Sequence, residues 1–387
     1  MSRARGPAGG AQSVQPGDAA RSSLEALLLE IATTPAPTGS EGRRGEVVAR
    51  HWQAAGLETR TDEVGNVIAS MPGSGAGADA GPTVMLACHL DSVFGADVDV
   101  GVERGEERWV GAGLGDNAAS LAVLTYWLSQ PAGGAWPNLT LVATVGEEGL
   151  GDLRGARHVV ETLGAEHDVF IAIDGYLGSV IDVGVGSRRY EAAFRAPGGH
   201  SWGDYPSPSA THAAGAAMAR LAALHVPKAP RSSLNIGQIW GGTSINAIAE
   251  RAGFNLDMRS VDQEALAALE RSAIAAMKEA AAEQGAQVEL TQVGDRPAGR
   301  CSSPRLLTAA REASLAVGLS PSTNAGSTDA NAAMAAGIPA LCFGVYRGGN
   351  AHRLDEWVDP ASLEVGVRAL GELLTRLTKL PKLANGS

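Results

Sequence analysis

The sequence contains few cysteines, no run of basic residues and no long apolar stretch, and each absence excludes a class of proteins. The three cysteines, Cys88, Cys301 and Cys342, are odd in number and lack the spacing of a metal site. Because two of them lie inside apolar stretches, we expect small buried thiols in a reducing compartment and no disulfide framework. No apolar stretch is long enough to cross a bilayer, which argues against a transmembrane protein.

Charge and motif content remove further functions. A net charge of -11 and a pI near 5.3 argue against nucleic acid or an anionic membrane as the main partner. No Gly-x-Gly-x-x-Gly turn follows the first predicted strand, so a nucleotide-dependent redox enzyme is not supported. Residues 1–20 are rich in Gly, Ala and Pro and carry no apolar core of signal-peptide length. We therefore expect a disordered segment over 1–20 and a cytoplasmic protein.

The chain of 387 residues is long enough for two domains, and its apolar stretches predict an α/β fold. Short, uniformly apolar stretches are typical of buried parallel strands that helices cover on both faces. Such stretches lie at 83–90, 139–145, 169–173 and 338–345. Residues 57–70 predict a hairpin, and helices are predicted near 24–33, 41–55, 118–130, 304–317, 328–336 and 360–379. We predict a mixed, mostly parallel sheet sandwiched by helices.

The sequence pattern changes after residue 186. From there to residue 295 it predicts the order strand, helix, strand, strand, helix, strand, which is that of a ferredoxin-like sandwich. These strands alternate apolar and polar residues, as antiparallel strands with one solvated face do. We therefore predict an inserted α+β domain at 187–295 that divides the main domain into 21–186 and 296–387. The crossings at 184–187 and 294–299 contain glycine and are predicted hinges.

Side chains of the kind that bind metal follow the apolar stretches. They are His89 and Asp91 after the first, Glu147 and Glu148 after the second, Asp174 after the third, His352 beyond the fourth, and Asp116 before a predicted helix. Because working groups of open α/β sheets collect beyond the carboxyl ends of the strands, we expect these side chains to lie together. Two imidazoles and three or four carboxylates at one edge predict a two-metal hydrolytic site.

Each of these residues has a structural alternative when it is taken alone. A histidine near a strand end is commonly structural, and two adjacent glutamates usually form a solvated turn. Asp116 has the position of a helix N-cap, and Asp174 precedes a glycine as a turn residue would. The functional interpretation depends on their order at successive strand ends, which is hard to obtain by chance.

The order His-x-Asp, Gly-Asp-Asn, Glu-Glu-Gly, Asp-Gly and a distant His resembles the co-catalytic zinc exopeptidase and deacylase family. That family includes peptidase T, bacterial dipeptidases, glutamate carboxypeptidase, aminoacylase and acetylornithine deacetylase. The resemblance extends from Leu24 to Leu377 and includes the inserted domain, which in the family acts as a lid and dimerisation domain. It implies a homodimer formed through the lid.

The resemblance also implies roles for the residues at the strand ends. The implied metal ligands are His89 and Asp174 for one zinc ion, Glu148 and His352 for the other, and Asp116 between them. Glu147 would be the general base and Asp91 the partner of His89, and the peptide bond from Asp116 to Asn117 would be cis. The implied reaction is attack of hydroxide on an amide carbonyl polarised by zinc, with cobalt or manganese left open as the native metal.

Further matches concern the substrate. By the resemblance, His200 stabilises the tetrahedral oxyanion from the partner subunit, Asn246 lines the substrate site and Arg259 binds a substrate carboxylate. Gly326 and Thr328 lie in a segment that resembles the family's substrate-contacting loop. The structural alternatives are a loop histidine, a turn asparagine and a strand-end arginine in a surface ion pair.

The resemblance favours one branch of the family. Asp174 stands where the glutamate carboxypeptidase and deacylase branches usually carry Glu, so we predict a peptidase T-like enzyme that cleaves short peptides as a di- or tripeptidase or another exopeptidase. Asn117 departs from the Asp or Met of many members and leaves the substrate open. The alternatives are an N-acyl-amino-acid amidohydrolase and a non-catalytic binding protein that keeps the fold. Against the latter, Glu147 and all five implied ligands are present.

Overall fold

The computed structural model describes residues 16–75, 81–129, 134–380 and 382. Within these ranges the helices are α1 Pro16–Ala32, α2 Gly42–Ala54, α3 Ser120–Ser129, α4 Arg154–Leu163, α5 Ala210–Ala222, α6 Gln263–Glu283, α7 Pro304–Ala316, α8 Ala330–Ala335 and α9 Ser362–Leu377. The strands are β1 Thr59–Thr61, β2 Val67–Met71, β3 Thr83–His89, β4 Glu103–Arg104, β5 Trp109–Val110, β6 Asn138–Thr144, β7 Val169–Ile173, β8 Ser179–Gly184, β9 Gly186–Arg195, β10 Gly199–His200, β11 Ser232–Gly241, β12 Ala247–Ile248, β13 Arg251–Ser260, β14 Gln287–Arg296, β15 Gly299–Arg300, β16 Ser322–Gly326, β17 Ala340–Phe343, β18 Arg347–Gly349 and β19 Trp357–Asp359.

The central sheet has the strand order β1-β2-β6-β3-β7-β17-β8-β15, and β16 pairs with β8. Its centre, from β6 through β3 and β7 to β17, is parallel. Antiparallel pairs flank this centre, with the hairpin β1–β2 at one end and β8–β15 at the other. The predicted mixed α/β sheet with helices, including its hairpin, is confirmed.

Side chains of the parallel strands enter two cores on opposite faces of the sheet. Val84 and Leu86 of β3 pack into one core with α1, α3 and α9. Met85 and Ala87 of the same strand pack into the other core with α4 and α8. This alternation follows from the period of two along a strand. Burying one side chain such as Leu86 contributes about 2 kcal/mol, so the double-sided burial fixes the register of the sheet.

A second, antiparallel sheet has the order β11-β13-β9-β14. Helices α5 and α6 cover one of its faces, where Phe194 and Phe254 pack with ring centroids 5.7 Å apart. The elements follow the chain order β9, α5, β11, β13, α6, β14, as the sequence predicted. We call this unit the lid; its boundaries at 187 and 295 stay a prediction. The predicted hinges are the short crossings from β8 to β9 and from β14 to β15.

The structure differs from the sequence-based expectation at several points. Helix α1 begins at Pro16, so residues 16–20 are helical rather than disordered, while 1–15 lie outside the described residues. The loop after Asp91 contains β4 and β5, which join β18 and β19 in a small sheet. Strand β16 was not predicted because its sequence, STNAG, is polar and exposed. Among the helices of the described chain, none has the length and apolarity of a bilayer span.

Candidate active site

The predicted ligands meet beyond the carboxyl ends of the parallel strands. Two groups of possible metal-binding side chains correspond to the predicted sets, and Asp116 belongs to both. One group contains His89, Asp116 and Asp174, and the other contains Asp116, Glu148 and His352. In each group the ligand atoms lie within 4.8 Å of one another. A third such group contains His89, Glu147 and Glu148. The two predicted sets of metal ligands and the predicted base therefore lie in the same cluster.

Asp116 connects the two histidines. Its Oδ1 lies 2.9 Å from Nε2 of His89, and its Oδ2 lies 3.1 Å from Nε2 of His352. The Nε2 of His352 is also 2.9 Å from Oε1 of Glu148. A carboxylate whose two oxygens face two imidazoles has the geometry that a bridging ligand needs.

Asp91 orients His89 and the loop after β6. Its Oδ1 lies 3.5 Å from Nδ1 of His89, and the carbonyl oxygen of Asp91 lies 3.1 Å from the same nitrogen. Its carboxylate also accepts hydrogen bonds from the backbone N–H of Glu147 at 2.9 Å and of Glu148 at 2.8 Å. Burial opposes ionisation of Asp91, but these hydrogen bonds and the bond to His89 lower its pKa. One buried carboxylate thus positions both a ligand and the proposed base.

Glu356 holds the turn that carries Asp116. Its carboxylate accepts the backbone N–H of Gly113 at 2.9 Å and of Asp116 at 2.8 Å. A Cβ at Gly115 would lie 2.6 Å from Oε1 of Glu356, so glycine is required for this close approach. Burial and the charge of Asp116 raise the pKa of Glu356 to about 8. The peptide bond from Asp116 to Asn117 is cis, as the resemblance implied.

A fully buried cation lies behind Asp91. Arg44 of α2 donates from Nη1 to the carbonyl of Leu90 at 2.9 Å and from Nε to that of Thr34 at 3.0 Å. Burial lowers the pKa of Arg44 to about 10, while the charge of Asp91 acts in the opposite direction. The guanidinium therefore fixes the strand end from which His89 and Asp91 project.

The shifted pKa values of the cluster fit a site that binds cations. Burial and the charge of Asp116 raise the pKa of Asp174 to about 7. Burial also raises the pKa of Glu147 well above its usual range, although Arg296 attracts its charge. Hydrogen bonds to Asp116 and Glu148 raise the pKa of His352 to about 10. Crowded carboxylates and imidazoles with raised pKa values hold protons in the metal-free protein. Divalent metal ions that bind to these groups would displace the protons. The donor set therefore fits a two-metal centre.

The predicted base is held by an arginine that the sequence did not single out. Arg296, the last residue of β14, donates from Nη1 to Oε1 of Glu147 at 3.2 Å and to Oγ of Ser327 at 3.1 Å. Its Nη2 contacts the backbone carbonyl of Glu147. Both charged side chains are about 6% exposed, so the ion pair is shielded from solvent. The one sequence feature that could have pointed to Arg296 is its position within the predicted hinge at 294–299.

A pocket of about 330 Å³ is lined by four of the candidate ligands, Asp116, Glu148, Asp174 and His352. Its lining includes Ser327 and three arginines, Arg189, Arg259 and Arg296. Arg259 was predicted, whereas Arg189 was not. The pattern Asp257-x-Arg259 in β13 places both side chains on one face of the lid sheet, and this alternation is the signal that points to a charged lid face.

The remaining lid predictions lie elsewhere in the single chain. His200 is exposed in β10, and its Nδ1 accepts the backbone N–H of Trp202 at 3.2 Å. Asn246 is exposed before β12 and its Oδ1 accepts from Ser244. Neither His200 nor Asn246 is among the described residues that line the 330 Å³ pocket. Gly326 ends β16 and Thr328 is buried beside the lining residue Ser327, so this segment does reach the site.

The fold and the two histidine–carboxylate groups define a metal-dependent hydrolase of the α/β class. Residues 85–376 match the model of peptidase family M20/M25/M40, and the chain belongs to that family. This finding confirms the resemblance given above and supports a metal-dependent hydrolase.

Three known proteins show how far the likeness extends. A tripeptidase from Staphylococcus aureus is 22% identical to this chain, with a TM-score of 0.79. The alignment covers 93% of this chain and 99% of the tripeptidase chain. The aminopeptidase PepT from Bacillus cereus is 21% identical to this chain, with a TM-score of 0.76. The alignment covers 92% of this chain and 98% of the PepT chain. The uncharacterized protein YqjE from Bacillus subtilis is 24% identical over 82% of this chain and 88% of its own. At these identities the two structures establish the fold and leave the substrate open.

Proposed function

We propose that the protein is a two-metal exopeptidase that hydrolyses the terminal amide bond of di- or tripeptides. One observation carries the proposal. A single pocket is lined by four of the five proposed metal ligands, by the carboxylate of Glu147 and by the guanidinium of Arg259, and the fifth proposed ligand, His89, contacts the lining residue Asp116. Lewis acids, a base and a group that binds a substrate carboxylate are the parts that such a reaction requires.

The metal ions proposed are zinc, with cobalt or manganese as substitutes. One ion would be held by His89 and Asp174, the other by Glu148 and His352, and Asp116 would contribute an oxygen to each. Ions bound there supply polarisation of the scissile carbonyl and a lowered pKa for the attacking water.

Glu147 is proposed to move the proton. Its Oε1 is occupied by Arg296, whereas its Oε2 has no hydrogen-bond partner within the described ranges. Oε2 would accept a proton from water as the oxygen attacks the carbonyl carbon, and would pass it to the amine nitrogen when the C–N bond breaks. Arg296 and the backbone N–H bond to Asp91 would hold Glu147 in place during both steps.

The charges of the pocket favour recognition of a substrate carboxylate. The carboxylates that line it, Asp116, Glu147, Glu148 and Asp174, all have metal or proton-transfer roles in the proposal. None of these lining residues is left to pair with a free amino group, whereas Arg259 can bind a carboxylate with two N–H groups. The same observation supports a second candidate, hydrolysis of N-acyl amino acids, because such substrates keep the carboxylate and lack the amine.

We further propose that the lid forms a homodimer that brings His200 and Asn246 to the partner subunit's pocket. Strand β11 is an edge of the lid sheet and exposes Ile239 and Trp240. Trp202 and Ile245, close to His200 and Asn246, are also exposed. Exposed apolar side chains beside an unpaired strand are typical of an interface. The cytoplasmic location stays a prediction.

The test combines metal content with turnover. Protein purified without chelator should contain about two metal ions per chain by mass spectrometry, and should hydrolyse members of a panel of di- and tripeptides and N-acetyl amino acids. Glu147→Gln should keep the metal and lose about a thousandfold in kcat, because the general base is removed while the ligands remain. Absence of turnover after reconstitution with zinc, cobalt or manganese would refute the proposed function.

A further inference from the structure

Two arginines beside the candidate metal site are fixed by one carboxylate. Arg189 of β9 and Arg259 of β13 both line the pocket. The Nε of Arg189 donates to Oδ1 of Asp257 at 2.9 Å, and the Nε of Arg259 donates to its Oδ2 at 2.8 Å. Asp257 lies directly opposite Arg189 in the pairing of β13 with β9. One negative charge therefore orients two guanidinium groups.

Both guanidinium groups keep donors for another acceptor. Arg189 uses one more donor, from Nη1 to the carbonyl of Gly149 at 2.9 Å. Among the described residues, its Nη2 and both Nη atoms of Arg259 have no hydrogen-bond acceptor. The side chains are 20% and 41% exposed, so they are partly shielded and still reachable from the pocket. Oriented guanidinium groups with unused N–H donors bind carboxylates in a two-bond geometry.

The charges around the pocket favour a substrate with more than one carboxylate. Asp116, Glu148 and Asp174 are proposed metal ligands, and Glu147 pairs with Arg296. The two remaining guanidiniums of the lining, those of Arg189 and Arg259, share the single carboxylate of Asp257. Two positive groups thus face the substrate with one negative charge between them, and a second substrate carboxylate would improve this balance.

We propose that Arg189 is a specificity-determining residue that selects substrates whose C-terminal residue is aspartate or glutamate. Arg259 binds the α-carboxylate of this residue, and Arg189 binds its side-chain carboxylate. The inference rests on the function proposed above, because it names the amino acid that leaves in the same hydrolysis. Asp257 serves as the positioning residue for both guanidiniums.

The first measurement compares substrates that differ only in this charge. Wild-type protein is assayed with Ala-Glu against Ala-Gln and with N-acetylglutamate against N-acetylglutamine. Glutamine has nearly the shape of glutamate without its charge, so the pair isolates the side-chain carboxylate. We expect kcat/KM for the acidic member to be higher by about tenfold or more, as is usual for a hydrogen bond between charged groups. Equal values in both pairs would overturn the inference, while turnover itself would still support the proposed hydrolase.

The second measurement assigns the preference to Arg189. Arg189→Gln should reduce the ratio of acidic to neutral kcat/KM by about tenfold, and Arg189→Lys should give an intermediate ratio because the charge remains and the planar fork is lost. Arg195→Gln is the matched control, since Arg195 lies on the same strand, is half-exposed and pairs with Glu289. It should leave the ratio unchanged. Thermal unfolding of each variant verifies that it is folded.

Three outcomes would contradict the inference. A fall of kcat/KM by the same factor for glutamate and glutamine substrates would assign Arg189 to the α-carboxylate or to the support of Asp257. A ratio unchanged by Arg189→Lys and Arg189→Gln would remove Arg189 from specificity. A wild-type protein that hydrolyses no member of the set, with metal bound, would refute the proposed function and this inference together.

Discussion

At the scale of single residues, the site is held by an ion pair and by hydrogen bonds between distant parts of the chain. Arg296 and Glu147 are 149 positions apart, and Glu356 contacts the backbone of Asp116 from 240 positions away. Such partners are brought together only by the fold, so no local pattern marks them. The seven residues at strand ends could be predicted because the sheet itself places them at one edge. Arg44, Glu356 and Arg296 could not, since a lone charged residue in a helix, in a loop or at the end of a strand is usually solvated.

Asp329 is a buried carboxyl group with an incomplete set of hydrogen bonds. Its Oδ2 accepts from Oγ1 of Thr144 at 2.5 Å, while its Oδ1 has no partner within the described ranges. Burial raises the pKa of Asp329 to about 6, with smaller opposing contributions from His89 and Thr144. At a pH where a carboxyl group is protonated in both the folded and the unfolded protein, a pKa raised by folding does not reduce stability. The raised pKa of Asp329 therefore destabilises the native state as pH rises from near the ordinary pKa of the group through 6.

We predict that Asp329→Asn changes the pH dependence of stability in the metal-free protein. Asparagine cannot ionise, so the variant should gain about 2 kcal/mol in free energy of unfolding, relative to wild type, between about pH 4 and about pH 8. Urea unfolding at several pH values measures this difference. The exposed Asp97→Asn serves as the control and should run parallel to wild type. Parallel curves for Asp329→Asn as well would contradict the prediction.

At the scale of elements, long apolar strands and amphipathic helices were predictable, whereas short strands were not. β7 occupies the predicted range 169–173, because five consecutive buried apolar residues leave no other interpretation. β4, β5, β18 and β19 each have two or three residues and form a sheet only with one another. Their stability comes from partners far along the chain rather than from their own composition. The loop after Asp91 also reaches the site, because its residue Val93 lines the pocket.

The turn at residues 114–119 carries Asp116, the proposed bridging carboxylate. We predict that Glu356→Gln weakens metal binding by about tenfold to a hundredfold. The side-chain amide of glutamine has one acceptor oxygen for two backbone N–H groups, so its NH₂ group would lie against the second N–H. Competition with a chromogenic chelator measures the affinity. Glu364→Gln, on the exposed face of α9, should leave the affinity unchanged. An unaltered affinity in Glu356→Gln would show that the turn keeps its shape without this support.

At the scale of the whole molecule, the two sheets and their connections determine what one chain can do alone. The lid contacts the loop after β6 through Arg296, which reaches Glu147, and through Arg189, which reaches the carbonyl of Gly149. His200 and Asn246 are not among the residues that line this pocket. The sequence predicted the order of elements in the lid, but whether His200 lines the pocket of its own chain depends on tertiary structure. This arrangement is the physical reason to expect donation of His200 to a partner subunit.

Mixing two inactive variants tests that expectation. Glu147→Gln removes the base but keeps His200, and His200→Ala removes the lid histidine but keeps Glu147. If His200 acts across a two-fold interface, a mixed dimer contains one site with both groups intact, and random exchange should restore about a quarter of wild-type activity. Equal amounts of the variants are unfolded, combined, refolded with metal and assayed, and each variant refolded alone is the control. If His200 acts within its own chain, no mixed dimer contains an intact site. Activity at the level of the single variants, with dimers verified by light scattering, would then contradict donation between subunits.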